Sequence, residues 1–333
     1  MIENFAPQIL LDLAYFVARV CVFLCISFVP PSAMSSASAV PDAPLAAELD
    51  AILAVAVSSA REAGALIRAN SGLAAADEKG GHQDLVTLID RACQNVVERA
   101  IATSFPTHRV LGEENVAPGR AASIAATRAA LAGEPRWLWV LDPIDGTTNF
   151  VCGIPMSVVS IAIAFKGEVV AAVIFEPFRD ELFTAVKGRG AFLNGTAIRV
   201  NESAELRRGV FGLGTHNNPI VGKVMVRVMD VMVERVRGLR ALGSACLALA
   251  YVACGRLSGY FEQDLNAWDN AAGFLLIVEA GGVVTDMAGR AYSIETRDIC
   301  GTCGKGDLHG EILAAIAAAG AESSVDTYRD ALA

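Results

Sequence analysis

Trp137-Leu138-Trp139-Val140-Leu141-Asp142-Pro143-Ile144-Asp145-Gly146-Thr147-Thr148-Asn149-Phe150 is an apolar strand that ends in ionisable and hydroxyl side chains. Pro143 lies between two aspartates, fixing one φ angle and removing a backbone donor, so the turn can aim Asp142 and Asp145 at one point. Hard divalent cations such as Mg²⁺ take oxygen ligands. A bridging Asp142 with Asp145 beside it suits a pair of metals ~4 Å apart, with the Ile144 carbonyl as a further oxygen. Gly146, Thr147 and Thr148 then offer backbone N–H groups and two hydroxyls where a short helix can start, a place for phosphate oxygens. Taken alone, the same residues also make an ordinary Asp-Pro turn closed by an Asx-type hydrogen bond.

Two further segments bear on that choice. Gly112-Glu113-Glu114-Asn115 follows a short apolar strand and can bring a carboxylate to the same sheet edge, although a glutamate pair after a strand is by itself a solvated turn. Trp268-Asp269-Asn270-Ala271-Ala272-Gly273 opens a helix that ends at Gly281-Gly282, where Asp269 alone reads as an N-terminal cap favourable to the helix dipole. Together, Glu113, Asp142, Asp145 and Asp269 would carry four negative charges into one cleft. Two carboxylates ~4 Å apart repel by ~4 kcal/mol at an effective dielectric of 20. Four remain ionised only beside cations, and two Mg²⁺ ions would neutralise them and leave a field that a phosphate can enter.

Outward from this centre, apolar residues recur at helical spacing over Leu45 to Asn70, and Gly72 stops the run. A polar loop is expected from Asp77 to Gln83, then a helix from Asp84 to Ser104 with Leu85, Leu88, Ile89, Cys93, Val96, Val97 and Ile101 on one face. Strands are expected at Arg109 to Leu111, Trp137 to Leu141, Ser157 to Phe165, Val169 to Phe175, Glu181 to Val186 and Ala197 to Val200. Turn-like Lys166-Gly167-Glu168 and Pro177 to Asp180 make consecutive strands antiparallel neighbours. Gly119 to Gly133 reads as a helical insertion. From Asn201 on, helices near Pro219 to Arg235, Ser244 to Cys254, Asp269 to Glu279 and Asp307 to Ala319 alternate with strands at Gly209 to Leu213, Leu257 to Phe261, Val283 to Asp286 and Asp298 to Gly301. Such alternation fits an α/β or α+β sandwich of two subdomains. The expected divisions are 1–44, an apolar segment and linker; 45–200, a metal- and phosphate-binding subdomain; and 201–333, an α/β subdomain completing the site.

The chain has 333 residues, 53% of them hydrophobic, and a net charge of −9, which argues against nucleic acid as a general partner. Eight thinly spread cysteines read as reduced thiols rather than a disulfide scaffold. Ile9 to Val29 is almost continuously apolar and of bilayer-spanning length, but Asp12 and Arg19 interrupt it and no basic residue precedes it. Ala37-Ser38-Ala39 would suit a signal peptidase, and Met34 is an alternative start. The expectation is a cytoplasmic protein, with membrane contact only through residues 1–33.

The two motifs, with Gly112-Glu113-Glu114 in its place before them, resemble those of the inositol monophosphatases, within the lithium-sensitive, magnesium-dependent sugar phosphatases. The resemblance runs from Leu45 to Ala319. It implies a layered αβαβα sandwich, a homodimer, and two Mg²⁺ ions with a third, weaker site near Glu113. Glu113, Asp142 and the Ile144 carbonyl would hold one ion, and Asp142, Asp145 and Asp269 the other. Asp90, in Asp84-Leu85-Val86-Thr87-Leu88-Ile89-Asp90, would hydrogen-bond Thr147 and with Glu113 activate water; without the resemblance it reads as an exposed helix charge. Gly146 and Thr147 would hold the phosphate, while Gly243, Ser244, Ala245, Glu262 and the loop residue Lys79 would contact substrate. Glu262 matches the position that binds ring hydroxyls in inositol phosphatases. The implied reaction is hydrolysis of inositol monophosphate by metal-activated water with no phosphoenzyme. Cys152-Gly153 departs from the His, Lys or Arg that many members carry there.

Other readings stay open. Histidinol, nucleotide or other sugar phosphates fit the same chemistry, and a non-catalytic regulatory member of the fold is a rival. Cys300-Gly301-Thr302-Cys303 has the spacing of a redox pair but lacks the strand-to-helix setting, so a structural role is expected. His309, opening the last helix, is expected at the surface.

Overall fold

The computed structural model describes residues 43–73, 75–81, 84–132, 136–203, 205–214 and 219–321, without the side chains of 43–46, 78–81 and 84–86. The apolar run Ile9 to Val29 lies outside the described residues. In chain order the elements are α1 Ala43–Asn70, β1 Ala76–Gly81, β2 Asp84–Thr87, α2 Leu88–Ser104, β3 Arg109–Gly112, a 3₁₀ turn Glu113–Asn115, α3 Arg120–Leu131, β4 Trp137–Asp145, α4 Thr147–Val151, β5 Val158–Phe165, β6 Glu168–Glu176, β7 Glu181–Val186, β8 Gly190–Leu193 and β9 Thr196–Ile198. They continue with β10 Val210–Leu213, α5 Pro219–Val233, β11 Gly238–Arg240, α6 Ala245–Ala253, β12 Gly259–Glu262, α7 Ala267–Glu279, β13 Val283–Asp286, β14 Ile299–Thr302 and α8 Leu308–Ala318.

Strand β4 organises the molecule. Successive side chains of a strand point to opposite faces, and here both faces are apolar. Trp137, Trp139 and Leu141 pack into one core with Leu49, Ile52 and Ile67 of α1 and Val97 and Ile101 of α2. Leu138 and Val140 enter a second core with residues of α6 and α7. The strand is therefore buried along its whole length, as its unbroken apolar run requires. It pairs in parallel with β3 and antiparallel with β5, within a sheet of order β3-β4-β5-β6-β7-β8-β9. A second sheet has order β11-β10-β12-β14-β13. Helices α6 and α7 touch strands of both sheets, and α5 and α8 lie against the second. The layers run α, β, α, β, α, the sandwich expected from the sequence.

Three local expectations are corrected. The expected polar loop at Asp77 to Gln83 is largely strand β1, which pairs antiparallel with β2. The helix expected from Asp84 starts instead at Leu88, because Thr87 is extended (φ −124°, ψ 166°) and caps it. Leu88 consequently stands 80% exposed, while Cys93, Val96, Val97 and Ile101 are buried as expected. His309 is not a surface residue: it is half-buried between the hydroxyls of Thr285 (3.0 Å) and Thr302 (2.9 Å), and burial pushes its pKa down to about 4. At the linker, α1 already includes Ala43 and Pro44, a proline being tolerated in a first helical turn. Cys300 and Cys303 are free and buried, and burial raises both thiol pKa values.

Candidate active site

An ideal strand would place Asp142 and Asp145, three positions apart, on opposite faces. Strand β4 avoids this with a bulge: Asp142 pairs with Ser160 and Asp145 with Val158, so one extra residue lies on the β4 side. Pro143, which has no N–H to give to a ladder, sits within that bulge, where proline is tolerated. The Asp142 Oδ1 accepts the Ile144 N–H at 3.0 Å, closing an Asx turn. Both the Asx-turn reading and the convergent-carboxylate reading of this loop are therefore realised at once.

The helix of the second motif supplies the third carboxylate. Asn266, not Asp269, is the N-cap of α7, and Asp269 is the N3 residue of a capping box. Its Oδ2 accepts the Asn266 N–H at 2.6 Å, which fixes the side chain in the first turn. One carboxylate oxygen each of Asp142, Asp145 and Asp269 lies within 4.8 Å of the others. Glu113 reaches the neighbourhood through sheet register: Gly112 pairs with Leu141, so the 3₁₀ turn begins beside Asp142. Glu114 N–H donates to Gln94 Oε1 at 2.9 Å and anchors that turn to α2.

Asp145 is 8% exposed and is held by the N-terminus of α6. Ser244 Oγ and the Cys246 N–H (2.8 Å) donate to its Oδ2, and the Ala245 N–H (3.3 Å) donates to Oδ1. The Ser244 hydroxyl also caps α6 by accepting the Leu247 N–H. Burial raises the Asp145 pKa, and the Ser244 and amide hydrogen bonds oppose that rise. For Asp269 burial is again the largest cause of a raised pKa, with the Glu113 charge next. Three carboxylates whose oxygens lie this close together are the donor set of a hard divalent cation, so the residues present fit the metal site implied by the sequence.

On the adjoining side, Asp90 is 1% exposed, not the surface charge it resembles in isolation. Its Oδ2 accepts the Thr87 N–H (2.8 Å) and hydroxyl (2.6 Å), and its Oδ1 lies 3.5 Å from Thr147 Oγ1. The Thr147 hydroxyl also lies 3.0 Å from the Ile144 carbonyl. Gly146 turns the chain between Asp145 and Thr147 with φ +89°; a Cβ there would meet the Met156 and Gly243 carbonyls at 2.9 and 3.1 Å. Gly243 has φ +71° and packs against the Asn149 amide, whose Nδ2 donates to the carbonyls of Met156 and Leu242. Glu262 ends β12, 7% exposed, and receives the Tyr260 hydroxyl on Oε2. Burial, helped by the Asp145 charge and opposed by Tyr260, pushes its pKa up to about 7. Lys79 lies in β1, and its side chain is outside the described part.

Three contributors escaped the sequence. The Cys246 amide follows from the Ser244 cap, since the first amides of a helix lack partners. Tyr260 could be found from the strand period, two residues before Glu262 on the same face. Asn149 left no signal beyond its place in the motif.

A layered α/β protein whose bulged strand, helix N-termini and 3₁₀ turn converge on a carboxylate cluster is the class defined by fold and site. The chain belongs to the inositol monophosphatase family, whose model matches residues 48–321. It is 43% identical to an inositol-1-monophosphatase of Rhizobium meliloti (strain 1021) over 224 residues, 66% of this chain and 79% of that one. It is 37% identical to the Nus factor SuhB of Haemophilus influenzae over 248 residues, 73% of this chain and 88% of that one. Among solved structures, the Thermotoga maritima IMPase superposes with a TM-score of 0.71 at 32% identity, covering 81% of this chain and 98% of that one. The family is metal-dependent, and membership points to a phosphatase acting on a phosphorylated small molecule. No helix among the described residues is long and apolar enough to cross a membrane.

Proposed function

We propose that the chain is a Mg²⁺-dependent phosphomonoesterase that hydrolyses a small polyol phosphate, with inositol monophosphate as the first candidate. The observation that carries this reading is the tight Asp142, Asp145 and Asp269 cluster beside the Thr147–Asp90 contact. Asp142, Asp145 and Asp269 would hold one Mg²⁺, and Glu113, Asp142 and the Ile144 carbonyl a second. When bound, the cations would lower the pKa of water and stabilise the departing alkoxide.

The chain's own groups do the rest. The Gly146 and Thr147 amides would orient the phosphate, as preorganised donors aimed at developing charge. Thr147 Oγ1 would accept a hydrogen bond from the attacking water and pass its proton toward Asp90, whose second oxygen is already held by Thr87. Thr147 does not attack phosphorus. Glu262 would accept a substrate hydroxyl, which favours a polyol over an ester without one.

A regulatory, non-catalytic role is the second reading, favoured by the similarity to a protein named Nus factor SuhB. The two separate on one experiment: phosphate release by the full chain from inositol, histidinol, sugar and nucleotide phosphates, with and without Mg²⁺, beside Asp142→Asn. Mg²⁺-dependent release that is lost in Asp142→Asn and greatest on inositol monophosphate is expected. No release from any ester by a folded, Mg²⁺-binding protein would refute the phosphatase and favour the regulatory role.

A further inference from the structure

We infer that Tyr260 and Gly214 are positioning residues for Glu262, and that the three select a neutral, hydroxyl-bearing substrate face over one carrying a second anion; this rests on the phosphatase reading above. Strand β12 lies between β10 and β14, and Leu213 of β10 pairs with Phe261. Gly214 therefore follows β10 alongside Glu262. A Cβ built on Gly214 would fall inside the Glu262 carboxylate, so the space the carboxylate occupies exists only because residue 214 has no side chain. Gly214 has no positive φ, and its requirement is one of volume.

Tyr260 supplies the polar half of the arrangement. It is 2% exposed, shares a strand face with Glu262, and donates its hydroxyl to Glu262 Oε2. Among the described residues, no other side chain or amide hydrogen-bonds that carboxylate and no Lys or Arg pairs with it. A buried carboxylate without a cation is costly, and one phenol donor offsets only part of that cost. In the ionised form the remaining oxygen only accepts, so the group complementary to it is a donor such as a ring hydroxyl. A second phosphate or a carboxylate at that place would face like charge in a low-dielectric setting, where repulsion is weakly screened. Tyr260 also orients: with its hydroxyl on one oxygen, the plane of the carboxylate is fixed and the acceptor direction is preset.

The test compares Mg²⁺-dependent release from inositol monophosphate, inositol bisphosphate and p-nitrophenyl phosphate by wild type, Tyr260→Phe and Gly214→Ala, each confirmed folded by its thermal melt. In wild type, the monophosphate is expected to be preferred over both others. Losing one hydrogen bond to a charged group is expected to lower the kcat/KM ratio of inositol monophosphate to p-nitrophenyl phosphate about tenfold in Tyr260→Phe, the loss appearing in KM. Gly214→Ala, which displaces the same carboxylate without touching the phenol, is expected to shift the ratio in the same direction and serves where Tyr260→Phe folds poorly. Equal losses on both esters, or an unchanged ratio in both variants, would overturn the inference while leaving the phosphatase standing. A wild type that hydrolyses p-nitrophenyl phosphate but prefers the bisphosphate would do the same. A wild type inactive on every ester would remove the phosphatase reading and the inference with it.

Discussion

Replacing Asp269 by asparagine should make the metal-free protein more stable, although it removes a proposed ligand. At the 4.8 Å that bounds the separation of the three carboxylate oxygens, each ionised pair repels by about 3.5 kcal/mol at an effective dielectric of 20, so Asp269 meets about 7 kcal/mol from Asp142 and Asp145 together. The folded protein can instead protonate one carboxylate, which at about pH 7.5 costs about 5 kcal/mol relative to an ordinary Asp. The smaller figure is the ceiling, and the Ser244 and amide donors to Asp145 reduce it. The amide oxygen of the introduced side chain would still accept the Asn266 N–H, so the cap of α7 is largely kept. A gain of about 2 to 5 kcal/mol is therefore expected for Asp269→Asn in chelator, measured by urea unfolding. Mg²⁺ at about 100 times its dissociation constant should add about 2.7 kcal/mol to wild type and less to the variant. A variant no more stable than wild type in chelator would refute the idea that these carboxylates store repulsion for a cation to relieve.

Gly146→Ala should destabilise by about 1 to 3 kcal/mol in thermal unfolding, because an L-residue at φ +89° is strained and its Cβ would press on two carbonyls. Ser244→Ala removes both a cap of α6 and a donor to Asp145, so a stability loss of about 1 to 3 kcal/mol and weaker Mg²⁺ binding by calorimetry are expected. Glu262 is raised from 4.5 to about 7 in the folded state; a carboxyl raised on folding contributes stability below its unfolded pKa that is lost as pH rises through the folded one. Wild type should therefore lose about 2.5 kcal/mol more than Glu262→Gln between pH 5 and 8 in chelator, read from denaturation midpoints across that range.

Much of this chemistry is legible one residue at a time. The Asp142-Pro143-Ile144-Asp145-Gly146-Thr147 loop, the short Glu113 turn and the Asp269 helix start each declare their residue types, and the apolar periods of α1 and β4 declare the layers they bury. The hairpin of β1 and β2 was not legible, because Ala76–Gly81 is polar and glycine-rich and shows no alternation. Strands β8 and β11 are not legible either, for a related reason: they are short and only partly buried, so sheet neighbours rather than composition make them strands. Asp90 looked like a surface charge because its helix pattern shows only which side faces the core, and the Thr87 cap that buries it depends on where the helix begins.

By itself, the sequence determined which carboxylates, hydroxyls and glycines are present and which local turns and helices hold them, since backbone preferences and caps act over a few neighbouring residues. Only the tertiary structure decided that residues 142, 145 and 269 share one place with the Glu113 turn beside them, that Ser244 serves Asp145, and that Gly214 leaves room for Glu262. Each of those contacts joins segments far apart in the chain, and no local preference encodes them: they arise from strand register, one bulge and the burial of both faces of β4.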